Sequence, residues 1–268
     1  MPNLYLRKGG KNYYSPLVDV SNTRASDLII RHGRKNYAVA KFTGTQVGTL
    51  ECYDLCGNEW TVTGTSKMPT ISSNVAKFDK SIYFPDGGWQ SFTQIDSGDG
   101  VTLGGKDFTV DFWCLVVTKS SRYAGMFSVY DTLNSSSYRF DMAIGIGEGS
   151  VNETLAVRLN GGSNYDIKSS MNANVWEHYA IVYSHSSNEV KVYINGILIK
   201  TFTTISFPQH HYAHVRIGNI NYTSNHYGFQ GYIDEFRISD CARWTANFTP
   251  PTEQYTHDDN TLVLLRAS

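Results

Sequence analysis

The sequence predicts an all-β fold, a two-sheet antiparallel sandwich preceded by a small β-hairpin arm. Three observations carry this. The 268 residues include 18 Tyr and 23 Gly with 13% aromatics, and few windows of Ala, Leu, Glu and Lys repeat at 3.6 residues, which is a strand-forming composition. Residues 106–116 alternate apolar and polar with period two. Asn195-Gly196 sits between two aliphatic alternations, where a type I′ hairpin turn needs two positive φ values. A chain of this length holds one β domain of roughly 200–250 residues plus a small appendage.

The charge distribution separates the two parts, read as an arm over residues 1–44 and a sandwich over 45–268. The formal charge is −1 overall, yet residues 1–42 carry eight Lys or Arg against two Asp, leaving 15 against 22 for the remainder. Within the arm, Leu4-Tyr-Leu-Arg-Lys-Gly-Gly-Lys-Asn-Tyr13 recurs 24 residues later as Leu28-Ile-Ile-Arg-His-Gly-Arg-Lys-Asn-Tyr37. Each copy has a short apolar strand, a Gly-containing polar turn and a second strand, so each predicts a β-hairpin. Two isolated hairpins bury little apolar surface. The arm is therefore expected to dock on a partner, or on itself in a homo-oligomer, through Arg7, Lys11, Tyr13, Arg31, Lys35 and Tyr37. A cap on the large domain is the alternative. A basic arm suits nucleic acid or an acidic protein, but it lacks the Arg-rich run or aromatic signature of a dedicated nucleic-acid module, so nucleic acid is not expected.

The opening Met1–Gly10 has no apolar core of signal-peptide length, and no run of about 18 apolar residues occurs. The expectation is a chain that is neither inserted in a membrane nor exported by the usual route. Four cysteines are too few to staple a domain of this size. Cys114 falls on the apolar face of a strand, and Cys52 and Cys56 form a C-x₃-C pair without a second pair at zinc spacing.

From about residue 45 a succession of strands follows. Asp54–Gly64 reads as an Asp-containing turn leading into a Trp-bearing strand, and Ala76–Phe84 as the next strands. In Lys106–Val116, Phe108, Val110, Phe112 and Cys114 share one face, with Thr109, Asp111 and Trp113 on the other. The first set is expected to point into the core. Val175–Tyr183, Asn188–Gly196, Val215–Gly218 and Gly231–Ser239 continue the pattern, and Asp259–Leu265 is expected to return as an edge or terminal strand.

The five segments from Lys106–Val116 to Gly231–Ser239 in this order, the last within Gly228-Phe-Gln-Gly-Tyr-Ile-Asp-Glu-Phe-Arg-Ile-Ser-Asp240, resemble a concanavalin A-like, laminin-G-like jelly roll over residues 45–268. The following Cys241-Ala-Arg-Trp-Thr-Ala-Asn-Phe-Thr-Pro-Pro251 and the Asn260–Leu265 tail resemble the form found in bacteriophage virion proteins such as tail fibres and decoration proteins. The resemblance implies a non-enzymatic virion protein, made in the host cytoplasm, whose arm docks on other virion proteins. The outward sandwich would bind a host-surface glycan or decorate the particle. A purely structural decoration module and a cellular carbohydrate-binding module are the alternatives. Fold alone does not decide among them.

Laminarinase-type hydrolases of the same fold need two carboxylates at alternate strand positions, about 5–5.5 Å apart for retaining chemistry. No such run is present. Asp234 and Glu235 are adjacent, so a regular strand sends them to opposite faces; their expected role is to accept backbone N–H bonds from neighbouring loops. Glu148 and Glu153 flank a turn-like Gly149–Asn152 and are not expected to be catalytic. Related laminin-G-like domains often hold one Ca²⁺, and Asp86, Asp96, Asp99 and Asp131 lie in turn-like stretches of the right chemistry, but six to eight oxygens must converge. No other cofactor is implied. His210, His211 and His214 fall within seven residues; in a trimer they would gather about an axis for a transition metal, and otherwise they are loop residues. Gly145–Gly149 is followed by no helix to cap phosphates. For sugar recognition the expected residues are loop aromatics beside Asn or Asp, namely Trp89, Tyr165, Tyr222 and Tyr227.

Overall fold

The computed structural model describes residues 4–8, 11–15, 26–32, 35–42, 48–64, 68–85, 93–97, 101, 103, 105–117, 124–131, 139–144, 155–159, 164–168, 172–207, 213–222, 225–228 and 230–267. Among them every regular element is a strand. Strands β1 (Leu4–Lys8) and β2 (Lys11–Ser15) form one antiparallel hairpin, and β3 (Ser26–His32) and β4 (Lys35–Phe42) a second. The sequence repeat is also a register repeat. Leu6 faces Tyr13 as Ile30 faces Tyr37, Arg7 faces Asn12 as Arg31 faces Asn36, and Lys8 faces Lys11 as His32 faces Lys35.

The remaining strands are β5 (Gly48–Tyr53), β6 (Glu59–Gly64), β7 (Thr70–Ser72), β8 (Ser81–Phe84), β9 (Thr93–Ser97), β10 (Phe108–Val116), β11 (Ala124–Asp131), β12 (Arg139–Ile144) and β13 (Leu155–Leu159). They continue with β14 (Asn164–Lys168), β15 (Trp176–Ser184), β16 (Glu189–Ile194), β17 (Ile197–Phe202), β18 (Ala213–Ile217), β19 (Asn219–Tyr222), β20 (Asn225–Gly228), β21 (Gly231–Ser239) and β22 (Thr261–Leu265). The first sheet runs β17-β16-β15-β10-β21-β8-β7. Both β8 and β22 pair with β21, β8 at its start and β22 at its end. The second sheet runs β14-β13-β12-β11-β18-β9-β6-β5, and all pairings in both sheets are antiparallel.

The core lies between the two sheets. Phe108, Val110, Phe112, Cys114 and Val116 of β10 face it, meeting Phe127, Val157, Val215, Ile217 and Trp60 of the second sheet. Phe112 is at the centre, with ring centroids 5.5 Å from Phe127, 5.6 Å from Tyr179 and 5.7 Å from Phe236. The period-two reading of β10 therefore assigns the core face. The Asp-containing turn also forms: Asp54 Oδ1 accepts the backbone N–H of Cys56 and of Asn58 at 2.9 Å each, and Trp60 follows with its ring fully buried. At the β16–β17 turn, Asn195 (φ 51°) and Gly196 (φ 76°) are both left-handed, as a type I′ turn requires. The tail returns as β22, antiparallel to β21.

One feature departs from a simple sandwich. All nine residues of β10 are buried, including Thr109, Asp111, Trp113 and Leu115 on the face away from the core. The segment Asp240–Tyr255 crosses that outer face. Trp244 and Phe248, stacked at 3.9 Å, pack with Ala242 on Ala180, Val182 and Tyr193. Tyr255 joins Trp113, Leu55 and Leu264 in a second small cluster. The run after the closing strand is thus a strap, anchored where Arg243 N–H donates to Thr109 Oγ1 at 3.0 Å and Phe248 N–H to the Gly196 carbonyl at 2.9 Å.

Candidate functional site

The outer face of the first sheet is crossed by rows of cross-strand partners, and these rows differ in chemistry and cover. The Asp111 row lies under the strap. Asp111 opposes Ala180 and Arg237, and the Arg237 guanidinium grips it with two parallel bonds, Nε to Oδ1 and Nη2 to Oδ2, at 2.9 Å each. His178 Nε2 lies 3.5 Å from Asp111 Oδ2 and 2.8 Å from the Tyr255 hydroxyl. Tyr255 also lies against the guanidinium, 4.2 Å from its ring centre. Burial pushes the Asp111 carboxyl up, but His178 and Arg237 together hold it below the usual carboxylate range.

The next row holds His178, Trp113 and Asp234. Its neighbourhood corrects the sequence reading of Asp234 and Glu235. Trp113 opposes Asp234 while Asp111 opposes Arg237, so Phe112 alone faces Glu235 and Phe236. That β-bulge puts Glu235 at φ 55°, which removes the alternation assumed for a regular strand. Glu235 Oε2 accepts the Tyr255 backbone N–H at 2.9 Å, which pins the strap, and Oε1 lies 3.9 Å from Arg266 Nε. Asp234 Oδ2 accepts the Phe78 N–H at 3.4 Å, which pins the 73–80 loop. Both carboxylates thus hold backbone from neighbouring segments, the role expected of them. Burial pushes the Asp234 carboxyl up to about 7, and burial with the charge of Asp234 pushes Glu235 up to about 8. The loop closes this row: Phe78 meets Trp113 edge-on at 6.3 Å, and Lys77 Nζ sits 3.7 Å above the Trp113 ring.

The last row is Trp176, Leu115, Tyr232, Tyr83 and Thr70, one residue from each of β15, β10, β21, β8 and β7. Neither the strap nor the loop seals it. Trp176, Tyr232 and Tyr83 are all half-buried. Tyr83 and Tyr232 stack at 4.7 Å, and Trp176 leans on Tyr232 at 6.5 Å with its plane tilted by 56°.

The second sheet carries a different outer face. One register row joins Arg158, Asp141, Ser128, Arg216, Asp96 and Thr61 on successive strands. The adjacent row, Val157, Met142, Phe127, Ile217, Ile95 and Val62, is wholly apolar, and its Val157, Phe127, Ile217 and Val62 side chains lie in the core.

Several residues singled out in the sequence lie outside the described residues: Trp89, Asp86, Asp99, Glu148, Glu153, His210 and His211. Tyr165 stands on β14 opposite Val157. Tyr222 and Tyr227 belong to the β19–β20 hairpin, where Tyr227 opposes Ile220, so the register puts both on one face. Asp96 opposes Arg216 on β18 and Asp131 opposes Ala213, so the register brings these two to opposite faces and does not join them. Among the described residues no group of three His, Cys, Asp or Glu is placed to hold a metal. In the hairpins, Lys11 and Tyr13 share a face and Arg7 takes the other, as Lys35 and Tyr37 do with Arg31. Trp176, Tyr232 and Tyr83 were missed as a group because they lie on strands rather than loops, and only the register unites them.

The profile of the concanavalin A-like lectin/glucanases superfamily, laminin-G type, matches residues 86–247, more than half of the chain. No curated protein sequence matches it. Among solved structures, the enzymatically active domain of tailspike protein 2 of bacteriophage CBA120 gives a TM-score of 0.53 at 11% identity over 90% of this chain and 37% of that one. Domain 4 of AbnA, an extracellular arabinanase of Geobacillus stearothermophilus solved with arabinotriose, gives 0.50 at 22% over 68% and 82%. The native heptameric SAP-like pentraxin of Limulus polyphemus gives 0.49 at 17% over 72% and 97%. At these identities the likeness is one of fold alone.

Proposed function

We propose that this chain, which belongs to the concanavalin A-like lectin/glucanases superfamily, is a non-enzymatic glycan-recognition module serving as an attachment component of a virion. One observation carries the non-enzymatic part. The carboxylates of the closing strand are committed to backbone groups of the strap and the 73–80 loop, and Asp111 is committed to Arg237, so none of these three faces a substrate. A hydrolase of this fold would present two of them to a glycosidic bond. The virion assignment rests on the resemblance of residues 228–265 to phage proteins, and the paired basic hairpins supply a repeated element for docking on other virion proteins or on further copies. Several copies would turn weak sugar contacts into useful avidity.

The test is a glycan array carrying bacterial-surface and mammalian glycans, probed with the full chain with calcium and with chelator, together with incubation of any bound glycan to look for cleavage. Binding without cleavage is the expected result. Cleavage products would overturn the non-enzymatic reading, and absence of binding with a discrete oligomer in solution would favour a purely structural decoration module.

A further inference from the structure

We infer that the open row of the first sheet is a saccharide-binding ridge, in which the Trp176 indole stacks on the C–H face of a pyranose and the Tyr232 and Tyr83 hydroxyls bond the hydroxyls of adjacent sugar units. This rests on the glycan-recognition reading and gives it a place. The outer face of this sheet is covered in order along the strands. The strap covers the Asp111 row and the 73–80 loop covers the Trp113 row, and among the described residues neither of them reaches the last row. What is left open is aromatic. A tyrosine or tryptophan half in water keeps an apolar body and a polar tip, which is the form of side chain that sugars select.

The row is also built rather than incidental. Tyr83 and Tyr232 fix one another by stacking, and Trp176 is held between Tyr232 and the cluster around Trp113. The phenol hydroxyls of Tyr83 and Tyr232 each carry a donor and acceptor sites, the chemistry a ligand hydroxyl pairs with. The row itself contains no formal charge, and Lys77 of the neighbouring loop sits over Trp113 under the charge of Asp234. A neutral glycan fits this better than a sialylated or phosphorylated one. Three strand steps separate β15 from β8, a span of roughly 14 Å at the ordinary strand spacing. That length suits an extended oligosaccharide rather than a single sugar.

The experiment uses the full chain and three neutral hexasaccharides, cellohexaose, laminarihexaose and chitohexaose, titrated with calorimetry and tryptophan fluorescence. At least one should bind wild type and perturb the tryptophan emission. Trp176→Ala should weaken it about tenfold. Tyr83→Phe and Tyr232→Phe, which keep the stacked pair and remove only the hydroxyls, should each weaken it severalfold with an unchanged melting temperature. Failure of wild type to bind any of the three, or binding that all three variants retain, would overturn the ridge. A glycan that binds wild type on the array and is retained by Trp176→Ala would overturn the ridge while leaving the glycan-recognition reading intact. Absence of binding on both array and titration would remove both.

Discussion

Replacing Asp111 by Ala should cost this protein a large share of its stability. The carboxylate is fully buried and takes two 2.9 Å bonds from Arg237, itself only 7% exposed. Removing it strands a guanidinium in an apolar layer beneath Tyr255 and Trp244. Breaking a buried pair in this way costs about 3–5 kcal/mol, against a total stability of about 5–15 kcal/mol for a typical domain. With a urea slope of about 2–3 kcal/mol/M, the unfolding midpoint should fall by roughly 1–2 M. The effect should reach the strap, because Tyr255 packs on the same guanidinium and shares a hydrogen bond with His178. Tryptophan emission, to which Trp244 contributes, should shift before the far-ultraviolet signal of the sheets. Asp111→Leu combined with Arg237→Met should recover most of the loss, since a buried pair exchanged for apolar side chains of similar size is often neutral. A single-variant loss below about 1 kcal/mol, or a double variant no better than the single, would refute the account.

Glu235→Gln should change the pH profile of stability. The folded carboxyl titrates near 8 against an ordinary value of 4.5, so its contribution is fully present below about pH 4, declines as pH rises, and is gone above about pH 8. Urea midpoints at pH 5, 7 and 9 should fall for wild type, with Asp234 adding to the decline, whereas the variant should vary less and exceed wild type at pH 9. Gly196→Ala should lower the melting temperature by several degrees, because the residue holds φ 76° and an added Cβ would overlap the Phe248 carbonyl of the strap. Phe112→Asp should prevent folding, as judged by loss of near-ultraviolet dichroism, because it places a charge among Phe127, Tyr179 and Phe236.

Local chemistry was legible in the sequence and cross-strand chemistry was not. The alternation from Phe108 to Cys114 names the core face because period two is a property of the strand alone. Asn195-Gly196 names its turn because two positive φ values are needed there. The 24-residue repeat names two hairpins that keep a common register. Glu235 defeated the same logic, since nothing in Ile-Asp-Glu-Phe marks a bulge and a non-glycine at φ 55° is uncommon. The run from Ala242 to Pro251 reads as a family feature, but that Trp244 and Phe248 cover β15 and β16 follows only from where the chain turns after Ser239. Trp176, Leu115, Tyr232 and Tyr83 stand apart in the chain and become one row through three strand pairings. Aromatic residues on strands read as core, and here Trp176, Tyr232 and Tyr83 are only partly buried.

The first sheet therefore inverts the usual division of its outer face. Four ionisable side chains at its centre, Asp111, Asp234, Glu235 and Arg237, are buried, and three of its aromatic side chains are partly exposed. Burying charge costs energy unless each group is paired or hydrogen-bonded. The bidentate bond to Arg237 offsets that cost for Asp111, while Asp234 and Glu235, whose carboxyls burial pushes up, accept backbone N–H bonds from Phe78 and Tyr255 and so fasten the loop and the strap. The aromatic row offers no such anchors, because indole and phenol groups in adjacent register have no charge with which to hold a covering segment. The same residue pattern that fastens the strap and the loop over one end of the sheet thus gives them no hold, among the described residues, on the other. A glycan would approach the fold there, at a distance of two strand residues from the nearest buried carboxylate on β21, rather than at the acidic closing motif.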